Sequence, residues 1–128
     1  MTAETMYRTA LSLLPTNVSE DDSLREYVVG WVNLSLAELF NTENAIRASK
    51  GEEELEAPAK IENIEEEVPC AFSLNTAIIY NLASLICKDD DDAYWAQDYR
   101  SRFVVAAGEA TPLVQGVVKD YYGGDADA

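Results

Sequence analysis

The side chains best equipped for chemistry are carboxylates: the run Asp89, Asp90, Asp91, Asp92 after Lys88, and eight glutamates between Glu52 and Glu67. Crowded carboxylates do two kinds of work, holding a hard cation such as calcium or sharing a proton in general acid–base catalysis. The familiar calcium loops space their oxygen ligands at alternating positions, need a glycine at the sharp turn and close on a glutamate. The aspartate run has none of these features. Acid–base work needs one pair set apart from the rest, and no pair is. The chain also lacks histidine, which removes the commonest general base, the commonest metal ligand and every Ser/His or Cys/His nucleophile. No glycine-rich phosphate loop is present. Cys70 and Cys87 show neither metal-ligand spacing nor a CxxC pair and read as reduced thiols. A helix running from one to the other would hold them roughly 25 Å apart, too far for a disulfide. The expectation is a protein that is not an enzyme and needs no cofactor or metal.

Two helices position the aspartates. Leu74, Ile78, Leu82, Leu85 and Ile86 recur at helical spacing, and Ile79, Tyr80 and Ala83 widen the stripe, so this helix should be covered on most sides. Ser73 stands where an N-cap belongs, and Pro69 disfavours an earlier start. After the aspartates, Trp95, Tyr99, Phe103 and Ala106 or Ala107 form a largely aromatic stripe, with Asp98, Arg100 and Arg102 off it and Gly108 as terminator. The two stripes can face each other across a short antiparallel connection. Asp91 or Asp92 then caps the second helix, where negative charge meets the positive end of the dipole. On this reading the aspartates are a solvated turn plus a cap, and the aromatic residues are core.

Upstream, Ala3 to Leu14 reads as a short packing helix with Met6, Ala10, Leu11 and Leu14 inward, stopped by Pro15. Thr16 to Asp22 is a polar turn in which Ser19 and Asp22 resemble a capping box. The longest helix follows, from Asp22 to Ser49, about 40 Å if unbroken. Leu24, Tyr27, Val28, Trp31, Leu34, Ser35, Glu38 and Leu39 trace its seam, while Val29, Val32, Leu36 and Phe40 lie outside the seam and suggest cover on a second side. Gly30 costs this helix about 1 kcal/mol relative to alanine and suggests close approach by a neighbouring helix. Past Phe40 the apolar pattern thins, so this end projects, with Arg47 and Lys50 complementing the dipole and Gly51 as terminator.

The glutamate-rich stretch from Glu52 to Glu67 then reads as a long excursion, with Pro58 inside it and Ile61 and Ile64 as anchors before Val68. A short extended piece from Ile61 to Val68 is compatible with it. The excursion is a candidate partner-facing arm, with a solvated loop as the competing reading. Thr111 and Pro112 can open a last short helix to Tyr121, or that segment can lie extended.

Length and composition fit one domain over 1–122 with an acidic tail at 123–128. At 128 residues and 48% hydrophobic the chain can bury about two-thirds of its unfolded surface in a single core. A formal net charge of −15 argues against a surface that grips nucleic-acid phosphates. The first residues lack the apolar run of a signal peptide, and no run approaches a membrane span. The fold class expected is all-α: four to five helices in a small bundle, with a long acidic loop between the long second helix and a C-terminal helical hairpin.

The succession of Val68 and Pro69, then Ala77, Tyr80 and Ala83, then Asp89 to Asp92, then Trp95, Tyr99 and Phe103 resembles the head-tail connector (neck or adaptor) proteins of tailed bacteriophages and prophages. Two slots depart from that pattern, with Ile86 where a leucine would stand and Trp95 at the first aromatic position, and both keep apolar bulk. The resemblance implies a structural virion protein that forms a homo-oligomeric ring under the portal, extends the DNA channel and docks the tail. Its partners would be portal and tail proteins, with DNA passing without specific binding and no membrane. Its place would be the virion neck, or the host bacterial cytoplasm during assembly. A channel that must not hold DNA is best lined with like charge, which the excursion or the aspartate turn can supply. Glu52, Glu53, Glu54, Glu56, Ile61, Ile64, Glu65, Glu66, Glu67, Tyr121 and Tyr122 are therefore the candidate interface and channel residues. The competing class is an acidic DNA mimic, which would use the same carboxylates at phosphate-like spacing to inhibit a nucleic-acid-binding protein.

Overall fold

The computed structural model describes residues 1–14 and 22–112. It is all-α: among the described residues there are five α-helices, two 3-10 turns and no β-strand. The readings at Pro15, the polar turn with Ser19, the last short helix, Tyr121, Tyr122 and the tail lie outside the described residues.

Helix α1 (Ala3–Ser12) is opened by Thr2, whose hydroxyl accepts the Thr5 N–H (3.1 Å). It buries Met6, Tyr7, Ala10 and Leu11 and ends two residues before Leu14. The long second helix divides. A 3-10 turn, Arg25–Tyr27, leads into α2 (Val28–Glu38), and Leu39 (φ −92°, ψ 5°) interrupts the helix before α3 (Phe40–Ser49). The Leu39 N–H still reaches the Ser35 carbonyl (2.9 Å) and its own carbonyl still accepts the Glu43 N–H (2.8 Å), so the break forfeits neither bond. Asn41, Thr42 and Asn44, weak helix formers, follow it.

The expected seam of this segment is rotated. The core takes Val28, Val32, Ser35, Leu36 and Leu39, whereas Tyr27 is 49% and Leu34 47% exposed. Apolar residues surround α2, so periodicity alone could not choose its inner face. Nor does the end of α3 project in full, since Ile46 is buried and the chain beyond Gly51 folds back to bring Leu55 against Asn44. Among the described residues no neighbour approaches Gly30, and nothing lies within 4 Å of the point where a Cβ would stand.

A second 3-10 turn, Phe72–Leu74, precedes α4 (Asn75–Asp89). Ser73 falls inside this turn and caps nothing. Helix α4 is the hub, packed against α5 (Ala93–Ala110), α1 and α2 and burying Ala77, Ile78, Ile79, Leu82, Ala83, Ile86 and Cys87. From α5 come Tyr99 and Phe103, with Trp95 beside Tyr99 (ring centroids 5.9 Å) and Tyr80 stacked on it (6.3 Å). The Tyr99 hydroxyl donates to the Leu13 carbonyl, tying α5 to the end of α1. Gly108 stays inside α5. The helix stops at Ala110 because Thr111, preceding Pro112, is extended (φ −68°, ψ 124°).

Two helices end in the same hydrogen-bonded stop. After α3 the Gly51 N–H reaches Ala48 (3.1 Å) and the Glu52 N–H reaches Arg47 (2.8 Å), with Gly51 left-handed at φ 73°. After α4 the Asp91 N–H reaches Lys88 (3.2 Å) and the Asp92 N–H reaches Cys87 (2.8 Å), with Asp91 left-handed at φ 57°. Asp92 then caps α5 by accepting the Trp95 N–H (3.2 Å). The aspartate run is thus a helix stop followed by a helix start. Asp91→Gly should raise stability by about 0.5–1 kcal/mol, because glycine relieves the left-handed backbone and one of four like charges is lost. Urea unfolding of the variant beside the parent checks this.

Candidate interaction surface

Residues 52–70 form a strap laid over α1, α2 and α3. Its fastenings are mainly side chains gripping backbone. The Asn33 Nδ2 donates to the Ile61 carbonyl (3.0 Å) while its Oδ1 accepts the Ile61 N–H (2.8 Å). Asn44 does the same to Leu55, at 3.0 and 2.7 Å. Each carboxamide takes the place of a neighbouring β-strand, satisfying both polar groups of one peptide residue. Arg47 adds a bond from its Nη1 to the Glu53 carbonyl (3.3 Å).

Further along, Ala3 and Glu4 at the start of α1 donate to the Glu66 (3.1 Å) and Ile64 (2.8 Å) carbonyls, using N–H groups the helix cannot bond internally. The Val68 N–H donates to the Met1 carbonyl (3.0 Å), and Thr2 and Glu67 form an isolated antiparallel bridge. The stretch from Ile61 to Val68 is not a continuous extended piece. A turn at 62–66 interrupts it, held by the Glu66 carboxylate, which accepts the Glu62 and Asn63 N–H groups.

The candidate residues therefore separate into three kinds. Ile61 (3% exposed) and Ile64 (9%) sit in the core with Val68, so they anchor the strap and offer a partner nothing in this conformation. Glu65, Glu66 and Glu67 are exposed but engaged: Glu65 faces Arg25 (3.8 Å), Glu66 closes the turn, and Glu67 pairs with the Met1 ammonium (2.6 Å). Glu52, Glu53, Glu54 and Glu56 are exposed with no ion pair among the described residues.

The arginines show the opposite pattern. Arg8 pairs with Asp22 (2.7 Å), Arg25 with Glu4 (2.7 Å), Arg47 with Glu43 (3.0 Å), Arg100 with Glu38 (2.6 Å) and Arg102 with Asp98 (2.9 Å). These are all the arginines of the chain, so no guanidinium is left over for a phosphate. The hydrogen bond from Arg25 holds the Glu4 carboxyl below its usual range.

Glu43, on α3, is only 8% exposed. Its Oε1 accepts the Ala71 N–H (2.8 Å) and its Oε2 the Arg47 Nε–H (3.0 Å), so it pins the end of the strap. Burial, with Glu43 nearby, pushes the Cys70 thiol up to about 11, and burial with Asp92 and Asp90 does the same to Cys87. Both are free thiols. Each should stay protonated and resist a thiol reagent near neutral pH in the native state, reacting promptly once unfolded. Because the folded-state values lie above the ordinary 9.0, the unfolded chain sheds these protons first. Stability should then fall as pH rises from 9 toward 11, which thermal melts across that range would register.

Nothing in the sequence pointed to Asn33, Asn44 or Glu43. The available signal was two asparagines within helical segments, a residue type that favours helix interiors only when it has a partner elsewhere. No group of three or more metal-ligating side chains converges among the described residues, and no described helix is long and apolar enough to cross a membrane. Comparisons of the chain with protein-family models, curated proteins and solved structures found no match.

Proposed function

We propose that this protein is a structural subunit of a phage or prophage head-tail junction, assembling into a ring that extends the DNA channel and docks the tail. The observation that carries the reading is the electrostatic division of its surface. The free glutamates Glu52, Glu53, Glu54 and Glu56 stand on a strap held in place by Asn44 and Arg47, while every arginine is taken up by an internal carboxylate. Such a surface repels phosphate without needing an ordered partner, which suits a wall past which DNA must slide. The resemblance of the hairpin helices to connector proteins points the same way. Mass spectrometry of purified particles, with the portal co-expressed for pull-down, tests the reading. The chain should co-purify with particles and bind the portal, and its absence from both would refute it.

The same exposed carboxylates favour a second reading, an acidic DNA mimic that inhibits a nucleic-acid-binding protein. That reading expects a stoichiometric complex with such a protein that added duplex DNA competes away, and a connector shows no such competition.

A further inference from the structure

The strap is fastened unevenly. From Ile61 onward it belongs to the core: Ile61, Ile64 and Val68 are buried, and the Ile64 and Glu66 carbonyls accept from the start of α1. Over 53–60 no residue is buried, and among the described residues no backbone-to-backbone hydrogen bond joins this stretch to the rest of the chain. Its polar fastenings are side chains of α3. Asn44 makes two bonds to Leu55 (3.0 and 2.7 Å), and Arg47 makes one longer bond to the Glu53 carbonyl (3.3 Å). Fixed points bound the stretch on both sides. Upstream is the stop of α3, where the Glu52 N–H reaches Arg47 past the left-handed Gly51, and downstream is Ile61, gripped by Asn33.

Beneath this stretch lies a small void. Leu55, Pro58 and Ala59, all half-buried, roof a cavity of about 10 Å³ whose floor includes the core residues Leu36, Leu39 and Leu74. That is room for one water at most, in a lining that gives a water few partners. Atoms that face a void have no contacts across it, so the roof gains less from closing than a fully packed layer would. The stretch also carries Glu53, Glu54 and Glu56 against a single lysine, Lys60, on a chain of net charge −15, so like charge opposes its closing.

We propose that 53–60 is a lid, which opens and closes as one unit over Leu36, Leu39 and Leu74 while the bundle and the strap beyond Ile61 stay in place. Asn44 is its latch. Few buried contacts and few backbone bonds are what give a segment an opening step of its own, well below global unfolding in free energy. Closed, this part of the surface is acidic. Open, it presents an apolar cleft at the same place, so two surfaces of opposite character alternate without the fold being lost. The inference does not depend on the ring.

Native-state hydrogen exchange and thiol labelling of the full chain test it. The Leu55 and Ile61 amides each donate to an asparagine, but only Leu55 is on the lid. In the parent, with each rate taken relative to a free peptide, the Leu55 amide should exchange at least about tenfold faster than the Ile61 amide. Leu39, on the floor, is 2% exposed. In a Leu39→Cys chain that also carries Cys70→Ser, because Cys70 lines the same cavity, the thiol at 39 should react at a rate nearly independent of urea below the unfolding transition. Adding Asn44→Ala should speed that reaction at least about tenfold, while Cys87 on α4 gains only what the loss of global stability gives. If Leu39→Cys does not fold, the amide comparison in the parent decides. Equal protection of the two amides, labelling at 39 that rises with urea in step with unfolding, or labelling that Asn44→Ala leaves unchanged would each overturn the proposal.

Discussion

Asn81→Ala should cost the fold about 2–4 kcal/mol and lower the melting temperature by roughly 10 °C. Asn81 is 1% exposed at the centre of α4, among the most apolar residues of the chain. Its Nδ2 donates to the Ser35 hydroxyl (2.8 Å), which in turn donates to the Trp31 carbonyl (2.9 Å). Its Oδ1 accepts from Arg100 (2.9 Å), whose other nitrogen pairs with Glu38 (2.6 Å) and whose guanidinium lies 4.7 Å from the centre of the Phe103 ring. One carboxamide therefore joins α2, α4 and α5. Truncating it opens a cavity and removes two hydrogen bonds, one of them to a charged donor. Replacing both partners with apolar residues, as in Ser35→Ala with Asn81→Leu, should recover part of the loss, because no half-satisfied polar group then remains at that end. A double-mutant cycle followed by urea unfolding would measure the coupling, and strict additivity would contradict it.

The second large effect is expected of Asn33→Ala combined with Asn44→Ala. Each substitution removes a pair of hydrogen bonds to one peptide residue of the strap and leaves an N–H and a C=O without their partners, at about 1–2 kcal/mol apiece. The sites grip different residues, Ile61 and Leu55, so the losses should nearly add, to about 3 kcal/mol. The distinguishing readout is local. Hydrogen exchange at the Leu55 and Ile61 amides should quicken by about 10- to 100-fold, while the amides at the centre of α4 change only as far as global stability falls. Equal acceleration everywhere would mean that the strap has no unfolding step of its own.

What could be read from the sequence follows from range. The hairpin was legible because its signals are local: Ile78, Leu82 and Ile86 at helical spacing, an aspartate at the cap, and Tyr99 and Phe103 on one stripe. The all-α class follows from the same periodicity. The face of α2 was not legible, since a helix apolar on every side gives no preference until α4 is placed against it. Leu39 carries no local sign of a break, and the cap expected at Ser73 was displaced by a 3-10 turn. The strap was the least legible part. Ile61 and Ile64 announced themselves as anchors, but the asparagines that hold it lie 28 and 11 residues from their partners. Distances of that kind leave no periodic trace. The glutamates of the candidate surface were visible as composition, whereas which of them are free was decided by Arg25, by the turn at 62–66 and by the Met1 ammonium.

The way the strap is held has a further consequence. Asn33 and Asn44 grip peptide groups, not side chains, and the apolar anchors are Ile61, Ile64 and Val68. Nothing in that arrangement asks for glutamate at positions 52, 53, 54 or 56. The shape of this surface and its charge are thus set by different residues, and evolution can revise one without disturbing the other. A lineage meeting a new partner could recolour the strap from acidic to neutral or basic while the same two asparagines keep it in place.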